Sequence, residues 1–374
     1  MRKTLALMLC LTLLALSLTG CAVGNVPAPS CAPETVAPAA AETEALEESA
    51  GTPAPAGTPA PAETPAPAGT PEESGPPYRF QPKVCSSYMR DLFGETMCQA
   101  WFALVDAVMA GEDSFPCPDA HTYDWVMGQF PDQCFPVLTE LIDYTWDRDH
   151  PVTDGVARFA YKVPREEAAA RIADFAALVE EILNENLEAD YSDFEKALAL
   201  YLFFSDHYSY DYPTAFAEGY PDYLSSYRVL SSGTGICQEF SVAYAYLLLQ
   251  AGVDATNMSG HRSYDGASHQ WTYVRINGHD FHIDPTYVVG DKDSLSYLMM
   301  DDAQREAADC YDRRDFVICS NYAQDHPHPD YRAEDDSFRP IWGSRFLRFD
   351  HETRTLYFAP DDGGGPESFD YTGW

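Results

Sequence analysis

The sequence predicts an α+β fold, because a strongly apolar helix is followed by an antiparallel hairpin. After Cys237, apolar residues recur at i, i+3, i+4, i+7 and i+8, which is the spacing of a buried helix face. Gly252 then supplies a typical helix stop signal. Further along the chain, Asn277-Gly278 separates two strand-like runs and predicts a two-residue hairpin turn.

Three residues around these elements have the chemistry of a thiol nucleophile. Cys237 lies at the predicted start of the helix, where the positive end of the helix dipole favours the thiolate form. His269 and Asp284 follow downstream, in the segments SHQW and HIDPTY. A thiol nucleophile needs a base and a group that orients the base. Cys237, His269 and Asp284 are therefore the candidate catalytic residues.

The predicted hairpin brings two of these candidates together. If Asn277 and Gly278 form the turn, Trp271 pairs with Asp284, and His269 lies two residues from Trp271 on the same face. The Cβ atoms of His269 and Asp284 are then about 7 Å apart, within reach of a side-chain hydrogen bond. The opposite face carries mostly core residues, namely Thr272, Val274, Ile276, Phe281 and Ile283.

The order and surroundings of these motifs resemble the transglutaminase-like superfamily. The matches are Gly235–Ile236–Cys237 at the helix start, His269 with Trp271 on one strand, and Asp284–Pro285–Thr286 at a strand end. The resemblance implies a papain-like core, in which the helix that bears the cysteine packs on an antiparallel sheet. It also implies acyl transfer on peptide or protein amides through a thioester, without a cofactor.

The family name does not fix the reaction, because the superfamily includes cross-linkers, peptidases, other amide hydrolases and inactive relatives. Hydrolysis, as by a peptidase or amidase, is the expected activity. Protein cross-linking and a catalytically silent binding module stay open as alternatives. A peptide or protein is the expected substrate in either active case.

Two further residues are candidates for the oxyanion or substrate site. The oxyanion needs a second donor beside the Cys237 backbone N–H, and Tyr210 in the preceding aromatic segment is a candidate for it. A purely structural role for Tyr210 is the alternative. Trp271 is expected to pack over the site or to belong to the core. No metal is expected, because His279 and His282 point to opposite faces of a strand.

The beginning of the chain predicts export and anchoring. Residues 1–20 have the basic start and apolar stretch of a signal peptide, and Leu18–Cys21 resembles a bacterial lipobox in which Cys21 receives lipid. An uncleaved membrane anchor is the alternative. Residues 21–77 are rich in Pro, Ala and Thr and predict a disordered tether. We therefore expect a protein anchored by lipid to the extracellular face of the bacterial cell membrane. A cell-wall-associated peptide or protein is one candidate for its substrate.

The folded part divides into three predicted regions. Residues 78–153 are expected to be mostly helical, residues 154–290 to form the core, and residues 291–374 to form an extension with a closing hairpin. Within the core, Gly155–Val163 alternates like a strand, and Ser192 with Glu195 forms a capping box for a helix. In the extension, Tyr297–Tyr311 is expected to be helical.

Charge and cysteine content limit the possible partners and cross-links. The formal net charge of -36 excludes a basic nucleic-acid footprint. Six cysteines of the folded part have no predicted role, and in an exported chain they could form disulfides. Sequence alone does not determine their pairing, although Cys310 and Cys319 are close neighbours. The six are Cys85, Cys98, Cys117, Cys134, Cys310 and Cys319.

Overall fold

The fold is α+β with antiparallel sheets, as the sequence predicts. The computed structural model describes residues 77–145, 150–219, 221, 223–319 and 330–374. The predicted signal peptide, the candidate lipid site Cys21 and all but the last residue of the predicted tether lie outside the described residues. None of the helices in the described part is both long and apolar enough to span a membrane.

Helices and strands are numbered here in chain order. Helices α1 to α12 span Ser87–Phe93, Glu95–Met109, Ala120–Gly128, Phe130–Cys134, Leu138–Leu141, Arg165–Asn186, Asp193–His207, Tyr212–Ala215, Ser226–Ser232, Cys237–Gln250, Pro285–Val288 and Asp302–Asp309. Strands β1 to β13 span Ser114–Pro116, Ile142–Tyr144, Val152–Thr153, Val156–Tyr161, Ser209–Tyr210, Thr234–Gly235, Asp254–His261, Ser268–Ile276, His279–Ile283, Val317–Ile318, Ser344–Asp350, Thr355–Pro360 and Glu367–Asp370.

The central layer is an antiparallel sheet with strand order β10-β7-β8-β9, against which α10 packs. Helix α10 is buried on nearly all sides, and even Glu239 and Ser241 of its first turn are almost inaccessible to solvent. A hydrogen bond of 2.8 Å from the Thr272 hydroxyl to the Ser241 carbonyl joins β8 to this helix. The sheet therefore holds the start of α10 in a fixed position.

The predicted hairpin register is confirmed. Asn277 and Gly278 both have positive φ, at 51° and 82°, as the favoured two-residue hairpin turn requires. Ile276 pairs with His279, and the pairing continues without a bulge as far as Thr272 and Ile283. Because side chains alternate along a strand, this register decides which residues face the site.

The N-terminal region is mostly helical, but it also contains a small sheet of its own. The strand expected at Gly155–Val163 is present as β4, and it pairs with β1, β2 and β3 rather than with the central sheet. Buried Phe159 of β4 packs against Phe115 of β1, with ring centres 6.2 Å apart. This apolar contact shows why β4 belongs with the N-terminal strands.

The C-terminal extension is tied to α7 by a buried carboxylate. The predicted capping box of Ser192 and Glu195 is present at the start of α7. Glu195 also accepts a hydrogen bond of 2.8 Å from the Tyr371 hydroxyl and lies 2.9 Å from Nδ1 of His351. The predicted closing hairpin is β11–β12, and β13 adds a third strand that the sequence analysis did not predict. Glu195 thus stabilises both the helix start and the attachment of this sheet.

One expectation for the extension was wrong, and one cysteine pairing that the sequence left open is excluded. The helix expected at Tyr297–Tyr311 spans only Asp302–Asp309, because the Asp301 side chain accepts from the Gln304 N–H at 2.7 Å and caps the helix there. Cys319 carries a free, buried thiol and therefore does not pair with Cys310.

Candidate active site

A short loop delivers Cys237 to the start of α10, and two glycines shape it. Gly233 has φ 72° and ends α9 in the left-handed conformation. Gly235 lies in β6, where a Cβ atom would be 2.4 Å from Cγ2 of Val229, so a larger residue would displace the loop. Strand β6 pairs in parallel with β5, and this pairing places Tyr210 opposite Gly235, next to the cysteine.

Cys237 is the first residue of α10, as predicted, and is 3% exposed. Its sulfur is in disulfide linkage, as is that of Cys310, whereas Cys85, Cys98, Cys117, Cys134 and Cys319 carry free thiols. A sulfur in a disulfide cannot attack a carbonyl, because the thiolate is the nucleophilic form. Any chemistry at Cys237 therefore begins from the reduced chain.

A buried ion pair supports the first turn of α10, and the sequence analysis did not predict it. The Glu239 carboxylate accepts hydrogen bonds from the Ile236 N–H at 3.1 Å and from Nε of Arg228 at 2.8 Å. Nη1 of Arg228 also donates to Asp211 at 2.8 Å. The guanidinium is a counter-charge shared by the two acids and joins the segment after β5 to the helix that bears the cysteine.

His269 and Asp284 form a buried hydrogen-bonded pair. Nε2 of His269 lies 2.6 Å from Oδ2 of Asp284, and Oδ1 of Asp284 accepts from the Thr286 N–H at 3.2 Å. Burial alone would raise the pKa of Asp284, but the charge and hydrogen bond of His269, together with Arg305, hold it below the ordinary value. With Nε2 committed to the carboxylate, Nδ1 is the ring nitrogen that can accept a proton from a thiol.

Tyr210 links the cysteine to this pair. Its hydroxyl is hydrogen bonded to the Cys237 backbone, and this bond lowers the pKa of the phenol, so the Cys237 N–H is the donor. Burial is the larger influence and raises the pKa of Tyr210 overall, and the negative charge of Asp284 raises it further. The Tyr210 phenol therefore lies at the Cys237 backbone and is affected by the charge of Asp284.

Trp271 lies in the core next to the His269–Asp284 pair. Its side chain is completely buried, and its indole N–H donates to Nδ1 of His282 at 2.8 Å. Nε2 of His282 in turn lies 2.9 Å from Asp302. Gly260, opposite His269 in the sheet, leaves room for the indole, since a Cβ there would approach the Trp271 ring to 2.9 Å. Trp271 therefore packs within the core, with its ring centre 6.1 Å from that of His269.

The structure adds Arg305, which the sequence analysis did not single out. Nη1 of Arg305 donates to Oδ2 of Asp284 at 3.1 Å, and both side chains are fully buried. The guanidinium carbon lies 4.4 Å from the Trp271 ring centre and 4.5 Å from that of Tyr311. The face of the hairpin that carries His269 and Asp284 is therefore covered by α12 and the segment that follows it.

The described residues offer no group of three His, Cys, Asp or Glu side chains suited to a metal ion. His279 is half exposed beside Asp335, with Nδ1 and Oδ2 3.1 Å apart, whereas His282 is fully buried. The two histidines thus lie in different environments, in keeping with their alternation along β9.

Comparison with known proteins agrees with this geometry. Residues 176–285 match the model of the transglutaminase-like superfamily, a range that contains Cys237, His269 and Asp284. The sequence matches no curated protein. Over residues 176–285 the match confirms the resemblance to the transglutaminase-like superfamily that the sequence motifs indicate.

Several solved structures are similar to part of the chain. A transglutaminase shares 23% identity over 37% of this chain and 37% of that chain, with a TM-score of 0.28. The periplasmic domain of TgpA from Pseudomonas aeruginosa shares 20% identity over 31% and 44%, with a TM-score of 0.23. LapG from Legionella pneumophila shares 14% identity over 41% and 71%, with a TM-score of 0.26. The chain spans less than half the length of the first two.

Proposed function

We propose that the transglutaminase-like domain at residues 176–285 is a thiol-dependent acyl-transfer enzyme that hydrolyses peptide or protein amides. The observation that carries the proposal is the buried His269–Asp284 hydrogen bond of 2.6 Å. Tyr210, which is hydrogen bonded to the Cys237 backbone, is affected by the charge of the same aspartate. These contacts support a base and an orienter placed next to the cysteine at the start of α10. That is the arrangement that thiol catalysis needs.

The reaction begins with reduced Cys237. Nδ1 of His269 accepts the thiol proton, and the thiolate attacks the amide carbonyl carbon to give a tetrahedral oxyanion. The Cys237 N–H and the Tyr210 O–H stabilise that oxyanion. Collapse breaks the C–N bond, and the imidazolium gives its proton to the leaving amine. The acyl group remains on Cys237 as a thioester.

Water then completes the cycle. His269 removes a proton from water, the hydroxide attacks the thioester, and the carboxylic acid leaves as the thiol regains its proton. Asp284 stays ionised throughout and stabilises the imidazolium. Tyr212 and Phe216, on the segment after Tyr210, are 48% and 59% exposed, which supports access of water to the rim of the site.

Transfer to an amine is the second candidate, and the charge of the chain favours it. A net charge of -36 attracts lysine side chains by long-range steering. The same thioester would then be resolved by an amine, and the product would be a cross-link instead of an acid. The first half of the reaction is common to both functions.

The deciding experiment supplies reduced full-length chain with a glutamine-containing peptide library and an excess of primary amine. Hydrolysis predicts shortened or deamidated peptides, and amine transfer predicts amine adducts instead. Cys237→Ala should abolish both, while Cys117→Ala, which removes a buried thiol elsewhere, should keep full turnover. Adducts in excess of hydrolysis products would reverse the assignment of the acceptor. No product with any peptide, and no labelling of Cys237 by a thiol-reactive amide probe, would indicate a silent binding module.

The setting of the reaction is part of the proposal. The lipobox-like Leu18–Cys21 and the Pro-, Ala- and Thr-rich residues 21–77 support a lipid anchor and a tether that hold the domain outside the cell membrane. The substrate would then be a peptide or protein at the cell surface, and one associated with the cell wall is a candidate.

A further inference from the structure

Arg305 is placed where it can act on the catalytic pair without touching substrate. Arg305 and His269 share one acceptor atom, Oδ2 of Asp284. Nη1 of Arg305 lies 3.1 Å from this oxygen, and Nε2 of His269 lies 2.6 Å from it. Nη2 of Arg305 reaches Asp309 at 3.4 Å. The guanidinium therefore joins the carboxylate of the pair to helix α12.

The setting of Arg305 is hard to explain by packing alone. The side chain is fully buried between the rings of Trp271 and Tyr311, and its Nε has no hydrogen-bond partner among the described atoms. Burying a charge with incomplete hydrogen bonding is costly, and an apolar side chain of similar volume often stabilises such a position as well or better. The charge itself must therefore contribute something that an aliphatic residue would not.

Asp284 has few other groups that could keep it ionised. Burial raises the pKa of every phenol that faces it, so these groups are uncharged near neutral pH. His269 and Arg305 are the cations that face Asp284 among the described residues, and His269 is charged only while it holds the proton. The phenols are those of Tyr201, Tyr210, Tyr287, Tyr297 and Tyr311.

We propose that Arg305 is a positioning residue for the catalytic pair. By holding Oδ2 of Asp284 as an ionised acceptor, it fixes His269 with Nε2 toward the carboxylate and Nδ1 toward Cys237. This inference rests on the proposed function, because it assumes that Cys237 and His269 act together. Arg305 acts while the imidazole is neutral, when the carboxylate would otherwise face a desolvated site with no counter-charge.

The test follows the reactivity of Cys237 rather than turnover. In the reduced full-length chain, the alkylation rate of Cys237 by iodoacetamide is measured by peptide mass spectrometry between pH 4 and 9. The acidic limb of this profile is the pH range in which the alkylation rate rises as pH increases. In Arg305→Gln, which removes the charge, the acidic limb should move up by about one pH unit, so the alkylation rate at pH 5 should fall about tenfold. Arg305→Lys keeps the charge and should move the limb by less than half as much.

Controls separate positioning from folding. Asp309→Asn removes a partner of Arg305 but leaves the contact with Asp284, so its pH profile should stay at that of the unaltered chain. If Arg305 has only a structural role, the Gln and Lys variants should lower the unfolding temperature by the same amount and leave the acidic limb of the alkylation profile unchanged. That result would overturn the proposal.

A measurement on the unaltered chain covers the case in which the Gln variant does not fold. In a carbon NMR titration, the side-chain carboxyl carbon of Asp284 should keep the chemical shift of an ionised group at pH values below the ordinary aspartate pKa of about 4. Titration at or above that value would overturn the proposal without any variant. Failure of the proposed hydrolysis and failure of the proposed role of Arg305 give different results. If Arg305→Gln shifts the alkylation profile but no amide product forms, hydrolysis alone is refuted. If amides are hydrolysed but the profile does not shift, only the role of Arg305 is refuted.

Discussion

The Cys237 backbone N–H is hydrogen bonded to the Tyr210 hydroxyl, across the parallel pairing of β5 with β6. In thiol catalysis this N–H is a donor to the oxyanion, so the substrate oxygen must replace the phenol oxygen as its acceptor. The displaced hydroxyl is then beside the oxyanion and can donate to it.

Tyr210→Phe should therefore reduce kcat by about a hundredfold, the usual effect of removing one oxyanion donor. KM should change little, because the hydroxyl acts on the transition state rather than on the bound substrate. Steady-state kinetics on the best peptide of the library checks this. Turnover equal to or above that of the unaltered chain would show that the hydroxyl only competes for the Cys237 N–H.

Turnover should depend on a reductant. Because the Cys237 sulfur is in disulfide linkage, the nucleophile forms only after that bond is reduced. Activity should rise from near zero on addition of tris(2-carboxyethyl)phosphine and disappear again on reoxidation. Peptide mapping without reduction should recover Cys237 in a cross-linked peptide. Equal activity with and without reductant would contradict this.

Stability should fall as pH rises through the range in which Asp132 titrates. Burial raises the pKa of Asp132 to about 6, and the negative charge of Glu239 adds to the effect, although hydrogen bonds from Ser226 oppose it. Below the ordinary value of about 4 the carboxyl is protonated in both folded and unfolded chains, so it has no effect there. Above pH 6 the folded state must hold an unfavourable charge.

Asp132→Asn should therefore stabilise the fold at pH 7 by about 1 to 3 kcal/mol and have little effect at pH 3. An asparagine oxygen can still accept from the Ser226 N–H, which lies 2.7 Å from Oδ1 of Asp132. Urea unfolding at both pH values measures this, with Asp174→Asn on an exposed helix face as the control. An Asn variant that is less stable than the unaltered chain at pH 7 would refute the argument.

Oxidation should join Cys85 to Cys98. Their sulfurs are 3.5 Å apart, which is contact distance, and the two residues are 13 positions apart in the chain. A hydrogen bond to Cys85, reinforced by burial, raises the pKa of Cys98, so thiolate is scarce near neutral pH and unassisted oxidation should be slow. A thiol oxidant such as diamide should remove two hydrogens and form the bond.

The closed loop should stabilise the chain by about 3 kcal/mol, seen as a higher unfolding temperature of oxidised protein. Peptide mapping should find the Cys85–Cys98 disulfide. Cys98→Ser should show neither this disulfide nor the higher unfolding temperature after oxidation. A map in which Cys85 pairs with Cys134, whose thiol also lies close to it, would contradict the assignment.

The anchoring proposal predicts a lipid mass on Cys21. Protein expressed with its own N-terminal sequence should partition into the detergent phase of a membrane extract. Cys21→Ala should shift it to the aqueous phase or block processing, whereas Cys31→Ala, in the same tether, should not. A mature form without lipid would refute the proposal.

The sequence by itself determined the elements that depend on local patterns. Apolar periodicity set the helix at Cys237, the Asn277-Gly278 pair set the hairpin register, and that register placed His269 beside Asp284. The capping box at Ser192 follows from two residues three positions apart. Helix periodicity, turn conformation and capping act over a few residues, so the amino-acid order is sufficient to predict them.

Only the tertiary structure decided the contacts between distant segments. Arg305 reaches Asp284 across 21 positions, and β4 pairs with the N-terminal strands instead of the central sheet. Cys319, although close to Cys310 in sequence, lies apart from it as a free thiol beside Thr256. These choices depend on which buried surfaces meet, and no local pattern encodes that, because many segments have similar apolar faces and charges.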